Sequence, residues 1–261
     1  MPTWTSPEGG RLHYRDAGRG IPVLLLHAFP LSGEMFEAQW TALSGRARLL
    51  VPDLRGFGSS PPGTGPAEMG SLADDVLGLL DSLDIASAVV GGVSMGGYVS
   101  MALLRNDPGR VQALLLADTQ MSPDDAAARA NREAIAQDVL ANGTAVMVPR
   151  STALLSPAAT EEQRARMVSW ILGNPPEGIA AAERGMAVRP DSRDILARFA
   201  GPLLVVVGSQ DTLTPPAKAR AIADLVPGSE LVEIPDAGHL SNVEQPEAFN
   251  AALERLLDRL S

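Results

Sequence analysis

The chain of 261 residues contains no cysteine and only three histidines. The absence of cysteine excludes disulfides, thiolate metal sites and catalysis by a cysteine nucleophile. The histidines are too few and too scattered for a convincing metal cluster, so we expect neither a metal nor a cofactor. Lysine is also nearly absent, since Lys218 is the only one, and we attribute this to the composition of the genome rather than to function.

The sequence also lacks positive charge and long apolar runs. Its formal net charge is −10, which argues against nucleic acid or an anionic membrane as a partner, because both require basic patches. The first residues show no signal-peptide pattern, and no apolar run approaches the length of a membrane span. We therefore expect a cytoplasmic protein that acts on a small molecule, and whether it forms a homo-oligomer is left open.

What the sequence does contain is a hydrophobic fraction of 45%, enough for one α/β domain with a large core. Short apolar runs alternate with helical patterns, which favours a mostly parallel sheet covered by helices on both faces. Six runs predict buried strands, and two earlier ones, joined by a turn at residues 7–10, predict a hairpin. The predicted strands are residues 3–6, 12–16, 22–26, 48–51, 88–90, 111–117, 202–207 and 230–234.

The helical patterns set the domain organisation. Ser71 is predicted to cap a helix that continues to Leu83. From residue 119 the strands disappear, and the chain becomes alanine-rich, charged and helical in pattern. We interpret residues 119–190 as an inserted helical cap, with residues 1–118 and 191–261 forming the core domain.

The most informative stretch lies between the strand at 88–90 and a helix predicted at 98–105. It reads Gly92-Val93-Ser94-Met95-Gly96, a G-x-S-x-G pattern. Such a pattern predicts a sharp, strained turn that lifts the hydroxyl of Ser94 clear of the sheet, with small neighbours where the two backbones approach. The same residues could form an ordinary glycine-rich turn, but no lysine follows to make a phosphate-binding loop.

A serine hydroxyl needs a base to become a nucleophile. His239 follows the last predicted strand, next to a glycine, and is our candidate for the general base. His27 closes a core strand and is predicted to hold the following loop by hydrogen bonds. His13 lies in the early hairpin and is interpreted as a structural side chain.

The base in turn needs an acid that orients it, and two aspartates follow neighbouring predicted strands. Asp211 is favoured because of its turn context after the strand at 202–207, whereas Asp118 could instead cap the first turn of the helical segment. Whether Asp118 assists or replaces Asp211 stays open at this stage. Asp53 and Asp236 are assigned to turn hydrogen bonds.

The developing charge on an acyl oxygen needs two fixed donors. The N–H of Met95, directly after the candidate nucleophile, is one. The N–H of Phe29, in the loop after the strand at 22–26, is predicted to be the other.

Taken together, these motifs resemble those of the α/β-hydrolase superfamily, over nearly the whole chain except the cap. The resemblance is carried by His27-Ala28-Phe29-Pro30, Asp53-Leu54-Arg55-Gly56-Phe57-Gly58-Ser59-Ser60, Gly92-Val93-Ser94-Met95-Gly96-Gly97, Gly208-Ser209-Gln210-Asp211 and Gly238-His239. It implies an eight-stranded sheet. Ala28 departs from the family pattern, which usually has glycine there. Serine at position 94 counts against the branch similar to haloalkane dehalogenases, which uses a carboxylate.

The resemblance is greatest to enol-lactonases, carboxylesterases and cofactor-free perhydrolases, so we expect a serine hydrolase acting on small esters or lactones. A C–C bond hydrolase or a perhydrolase with the same three residues is an alternative, and so is a non-catalytic binding protein of the same fold. Several large apolar side chains either line an apolar acyl site or simply pack the cap onto the core. They are Met35, Met121, Met147, Trp170 and Met186.

Overall fold

The structure, a computed structural model, describes residues 2–6 and 10–260. The strands are β1 (Thr3–Thr5), β2 (Arg11–Ala17), β3 (Pro22–Leu26), β4 (Arg48–Pro52), β5 (Ala88–Val93), β6 (Val111–Ala117), β7 (Leu203–Gly208) and β8 (Glu230–Ile234). They form one eight-stranded sheet in the order β1-β2-β4-β3-β5-β6-β7-β8. The β1–β2 and β2–β4 pairs are antiparallel and the others are parallel, so the predicted mostly parallel eight-stranded sheet is confirmed.

The α-helices in the described part of the chain surround this sheet. They are α1 (Glu37–Leu43), α2 (Met69–Ser82), α3 (Met95–Asn106), α4 (Ala126–Asn142), α5 (Met147–Arg150), α6 (Glu161–Leu172), α7 (Pro176–Ala187), α8 (Arg193–Ala197), α9 (Pro216–Leu225), α10 (Ser241–Glu244) and α11 (Pro246–Asp258). Every residue of β5 and β7 is buried, whichever face of the sheet its side chain points to. Because alternate strand residues point to opposite faces, both faces of the sheet centre must be covered.

The sequence predicted two helix starts wrongly. Helix α2 begins at Met69 after Glu68, not at a Ser71 cap, and no side chain caps it. Met69 is only 2% exposed, so its burial in the core extends the helix past the serine. Helix α3 begins at Met95 rather than Tyr98, directly after the G-x-S-x-G turn. The predicted hairpin turn at residues 7–10 falls mostly outside the described residues.

Between β6 and β7 the described chain contains helices α4 to α8 and no strand. Helices α4 and α7 pack against each other, and Ala67 N–H donates to the carbonyl of Ala181 on α7 across 2.9 Å. This segment therefore contacts the sheet-bearing part of the chain through main-chain hydrogen bonds as well as side chains. Its treatment as a separate cap, residues 119–190, stays a prediction.

The parallel strands carry the predicted site residues at their carboxyl ends. His27 follows β3, Ser94 follows β5 and Asp118 follows β6 directly. Asp211 and His239 lie in the loops after β7 and β8. In a parallel sheet these ends share one edge, which is where such folds usually place their ligand sites.

Candidate active site

Ser94 sits on a strained turn between β5 and α3. Its backbone has φ 53° and ψ −113°, a region that L-residues other than glycine rarely adopt. A Cβ on Gly92 would lie 2.1 Å from the carbonyl carbon of Gly96, and one on Gly96 would lie 2.0 Å from the carbonyl oxygen of Leu26. Glycine is thus required at both positions, because the strand, the turn and the helix meet without room for side chains.

Three of the predicted site residues are joined by hydrogen bonds. His239 Nε2 lies 2.7 Å from Ser94 Oγ, and His239 Nδ1 lies 2.8 Å from Asp211 Oδ2. Asp211 accepts a hydrogen bond from Nδ1–H, which leaves Nε2 free to accept one from the serine hydroxyl. His239 and Asp211 are each 3% exposed, so water competes little for these contacts. A base held in this way can take a proton from Ser94.

The loop after β7 holds the carboxylate of Asp211 in place. The N–H groups of Leu213 and Thr214 donate to Oδ1 at 2.8 and 2.9 Å, and the Thr214 hydroxyl donates to Oδ2 at 2.6 Å. Burial raises the pKa of Asp211, but the hydrogen bonds and charge of His239 and the bonds from Thr214 outweigh it, so its pKa lies below the ordinary value. This carboxylate therefore stays ionised at neutral pH.

The hydrogen bond between His239 and Asp211 also changes the pKa of His239. Its burial lowers the pKa of the imidazole, but the hydrogen bond to Asp211 and the negative charge of that carboxylate outweigh burial. The pKa of His239 consequently lies above its ordinary value. The imidazolium that would form after proton transfer is stabilised by the same interaction.

Asp118, the second candidate for the acid, has other partners. Its Oδ1 accepts from the N–H of Gly208 at 2.8 Å, and its Oδ2 accepts from the N–H and the hydroxyl of Ser241 at 3.1 and 2.6 Å. Within the described residues it makes no hydrogen bond to His239. The alternative prediction that Asp118 caps the helical segment is wrong, because the side chain of Asp125 caps α4.

Burial dominates the charge state of Asp118. The side chain is fully buried, and this raises its pKa to about 7 against the opposing effects of His239 and its own hydrogen bonds. The carboxyl thus ties the end of β7 to the segment that follows His239, without holding a full charge at neutral pH.

The loop after β3 presents the predicted main-chain donors. In the described part of the chain, neither the N–H of Phe29 nor that of Met95 donates to another group. Two contacts of Ala28 hold this loop. Its N–H donates to the sulfur of Met35 at 3.2 Å, and the carbonyl of Ala28 accepts from Leu31 N–H at 2.9 Å. Phe29 lines the same cavity as Ser94, and Met95 follows Ser94 in the chain, so these two free N–H groups could bind an oxyanion.

The remaining histidines make no hydrogen bond to Ser94 in the part of the chain that the structure describes. His27 Nε2 accepts from Leu54 N–H at 3.0 Å, so its Nδ1 carries the proton and faces the carbonyl of Ala28 at 3.0 Å. Burial holds the pKa of His27 below its ordinary value. His13 Nδ1 contacts the hydroxyl of Thr3 at 3.3 Å. The hydrogen bonds of both histidines fit the structural roles predicted for them.

The two aspartates assigned to turns differ in how strongly they are held. Asp53 accepts from the N–H of Gly33 and that of Ser59, both at 2.9 Å. Asp236 has a positive φ of 54° and accepts a long contact of 3.4 Å from Gln210 Nε2. Both therefore lie in turns, and neither contacts His239 in the described residues.

Ser94 and His239 open onto a cavity of about 270 Å³. Among the apolar side chains predicted to line a pocket, Met147 and Met186 are at its wall. Met121 lines a separate small space beside Arg189, and Trp170 is 6% exposed beneath Arg166, so neither belongs to this cavity. Met35 instead supports the loop after β3, as its sulfur contact shows.

The cavity wall also contains polar residues that sequence reasoning missed. They are Gln120, Arg132, Arg150, Ser151, Glu183 and Thr214. A larger cavity, of about 650 Å³, is lined by Arg55 and Asp75 and by none of the predicted site residues described. We place the candidate site at the smaller one, because it alone contains the hydrogen-bonded serine and histidine.

Two general features bear on what the site can hold. Among residues 2–6 and 10–260, no group of three or more histidine, aspartate or glutamate side chains is arranged to hold a metal ion. No helix in the same ranges combines the length and the apolar character that crossing a membrane requires.

The sheet order and the serine turn at the end of β5 define an α/β protein of the hydrolase class. The chain belongs to the alpha/beta hydrolase fold family, whose family model matches residues 21–246. It is 31% identical over 231 residues to 3-oxoadipate enol-lactonase 2 from Acinetobacter baylyi, covering 87% of this chain and 85% of that protein.

Two solved structures are similar over nearly the entire chain. A thermophilic esterase from Thermogutta terrifontis is 41% identical with a TM-score of 0.95, covering 98% of this chain and 96% of the esterase. The enol-lactonase from Burkholderia xenovorans is 28% identical with a TM-score of 0.91, covering 98% of this chain and all of that one. The family resemblance inferred from the motifs is thereby confirmed.

Proposed function

We propose that this protein is a serine hydrolase that cleaves small carboxylic esters or lactones. The observation that carries the proposal is the unbroken hydrogen-bond chain from Ser94 through His239 to Asp211, which opens onto a cavity. The esterase and the enol-lactonases to which the chain is similar support esters and lactones as the substrate class.

In the first half of the reaction, Ser94 Oγ attacks the substrate carbonyl carbon while its proton moves to His239 Nε2. The carbonyl oxygen becomes an anion that the N–H groups of Phe29 and Met95 stabilise. The intermediate then collapses: the bond to the leaving oxygen breaks, and that oxygen receives the proton from His239. An acyl-enzyme ester on Ser94 remains.

In the second half, His239 Nε2 takes a proton from water as the water oxygen attacks the acyl carbon. The second tetrahedral intermediate expels Ser94 Oγ, which recovers its proton from His239, and the acid product leaves. Throughout, Asp211 keeps the Nδ1 proton in place and stabilises the transient imidazolium. For a lactone, the leaving oxygen stays attached to the acyl group, so one ring-opened product results.

The size of the cavity favours small substrates. Its volume of about 270 Å³ lies just below the range for small-molecule sites, about 300–1,000 Å³. The apolar wall contributed by Met147 and Met186 suits a short acyl chain. We therefore expect butyrate and similar esters to be better substrates than long-chain ones.

The proposal is tested with Ser94→Ala. We expect kcat for p-nitrophenyl butyrate to fall by more than about 10⁴-fold, because the nucleophile is removed. A fluorophosphonate probe should label the wild type and not the variant. Ser100→Ala is the matched control, since that buried hydroxyl donates to Gly96 O at 2.8 Å within α3, and it should still be labelled.

Hydrolysis by Ser94→Ala at the wild-type rate would disprove the proposal. Absence of labelling in the wild type would instead favour a binding protein of this fold. A parallel panel of esters, lactones and vinylogous diketones separates ester or lactone cleavage from cleavage of a C–C bond.

A further inference from the structure

Two ion pairs join helices α4 and α7. The arginine lies on α4 in the first pair and on α7 in the second. Arg132 on α4 binds Glu183 on α7, with 2.7 Å between Nη1 and Oε2. The adjacent residues form the second pair, in which Arg184 Nη2 lies 2.8 Å from Glu133 Oε1. The first pair lines the cavity that holds Ser94, whereas the side chains of the second are 37% and 45% exposed.

The guanidinium of Arg132 is held at two of its three nitrogens. Nε donates to Asp124, and Nη1 donates to Glu183 and also lies 3.5 Å from the sulfur of Met186. Within the described residues Nη2 has no hydrogen-bond partner. It is also not one of the unpaired polar atoms that are fully shielded from solvent. The side chain keeps 20% of its surface exposed, so this nitrogen presents N–H groups to open space.

The fixed geometry makes this donor useful for recognition. A guanidinium is planar, and anchoring two of its nitrogens sets the direction of the third. Asp124 and Glu183 are 5% and 3% exposed at their side chains, so both anchors lie inside the protein. A ligand that binds Nη2 therefore does not have to order a flexible arginine first.

The surrounding charges are balanced. Asp124 also binds Arg189 at 2.7 Å, so two arginines face two carboxylates around this wall. Arg150, which also lines the cavity, is paired with Asp138 at 2.9 Å. Such a wall donates a hydrogen bond without offering a net positive charge, which suits a neutral oxygen better than a carboxylate.

We propose that Arg132 is a specificity-determining residue that donates from Nη2 to a neutral oxygen acceptor on the acyl group, remote from the bond that is cleaved. A ketone or ether oxygen on a short acyl chain has this chemistry. The inference rests on the proposed function, because it assumes that Ser94 attacks esters whose acyl group occupies this cavity.

The test compares p-nitrophenyl hexanoate with its 4-oxo and 5-oxo derivatives in the wild type and in the double variant Arg132→Met/Glu183→Gln. The double variant removes one charge of each sign and keeps the balance. We expect the ratio of kcat/KM for the better oxo ester to that for hexanoate to fall about tenfold, the factor of one hydrogen bond to a charged group. The change should appear mainly in KM.

The matched control is Glu133→Gln/Arg184→Met, which removes the outer ion pair between the same two helices. Its ratio should equal that of the wild type. Arg132→Lys retains a cation but loses the fork, and we expect an intermediate ratio. This single variant also keeps the inference testable if the double variant fails to fold, as thermal melting would show.

An equal ratio in the wild type and in a folded Arg132 variant would overturn the inference. So would a preference, dependent on Arg132, for the mono-p-nitrophenyl ester of adipic acid over both oxo esters, because the acceptor would then be a carboxylate. Either result leaves the proposed function intact as long as Ser94→Ala abolishes hydrolysis. Persistent hydrolysis by Ser94→Ala would instead be the failure of the proposed function.

Discussion

Two neighbouring strands, β6 and β7, both lead into a buried aspartate, and the two carboxylates have parallel surroundings. A hydroxyl donates to Oδ2 of each at 2.6 Å, from Ser241 to Asp118 and from Thr214 to Asp211. Main-chain N–H groups bind both as well. They differ in one contact, because only Asp211 bonds to His239.

That contact and the fuller burial of Asp118 separate their electrostatics. The partial charge and hydrogen bond of His239 help hold the pKa of Asp211 below its ordinary value despite burial. For Asp118, burial prevails and raises the pKa to about 7. Of these two buried carboxyls at strand ends, the one that stays charged is the one that an imidazole touches.

The largest expected difference between them is in catalysis. Asn at position 211 would present an amide N–H to Nδ1 in one orientation, which would place the imidazole proton on Nε2 and block transfer from Ser94. We expect Asp211→Asn to lower kcat for p-nitrophenyl butyrate by about 10⁴-fold. Asp118→Asn should lower it by less than about tenfold, because Asp118 has no bond to the imidazole.

Steady-state kinetics at pH 8 on both variants checks this. If Asp118→Asn proved as damaging as Asp211→Asn while remaining folded, the two carboxylates would share the orienting role.

The second difference is in the pH dependence of stability. The folded state holds the proton of Asp118 up to about pH 7, whereas the unfolded chain releases it near pH 4. The unfolded state thus binds fewer protons between these values, and wild-type stability falls as pH rises. Relative to Asp118→Asn, the wild type should lose about 2 kcal/mol between pH 5 and pH 7.

Asp211 has the opposite sign. Its pKa is lower in the folded state, so the stability it contributes is present above the unfolded pKa and is lost only as pH falls through the folded one. The difference in unfolding free energy between the wild type and Asp211→Asn should therefore shrink as pH falls below about 4, whereas that between the wild type and Asp118→Asn should not. Above pH 5 the Asp211→Asn variant also changes the titration of His239, so urea unfolding at pH 4 and pH 3 makes the comparison, and a parallel change in the two variants would contradict the contrast.

The sequence predicted the sheet and the residues at its edge because both depend on short-range signals. Apolar runs of five to seven residues mark strands such as β3 and β6 at their observed bounds. Ser94, Asp211 and His239 could be found because each comes shortly after a predicted strand. Helix starts were less predictable, since burial of Met69 in the core outweighed the capping preference of Ser71.

The cavity wall could not be predicted in the same way. Arg132 and Ile135, on one face of α4, both line the cavity, but an alanine-rich helix gives little indication of which face turns inward. That orientation is set by packing between α4 and α7, which are far apart in the chain.

The smallest expected difference concerns the two hydroxyls. Thr214→Val removes the donor to Asp211 Oδ2, a group that also lies 3.2 Å from His239 Nδ1. We expect kcat to fall about threefold to tenfold and the lower pKa of the kcat/KM profile to shift, because Asp211, which orients the imidazole, loses the hydrogen bond from Thr214.

Ser241→Ala should instead cost about 1 kcal/mol of unfolding free energy and leave kcat within about twofold. Full pH–rate profiles and urea melts of both variants decide the point: an unchanged profile for Thr214→Val, or a shifted one for Ser241→Ala, would mean that the two aspartates are coupled to His239 through the protein rather than through the single contact of Asp211.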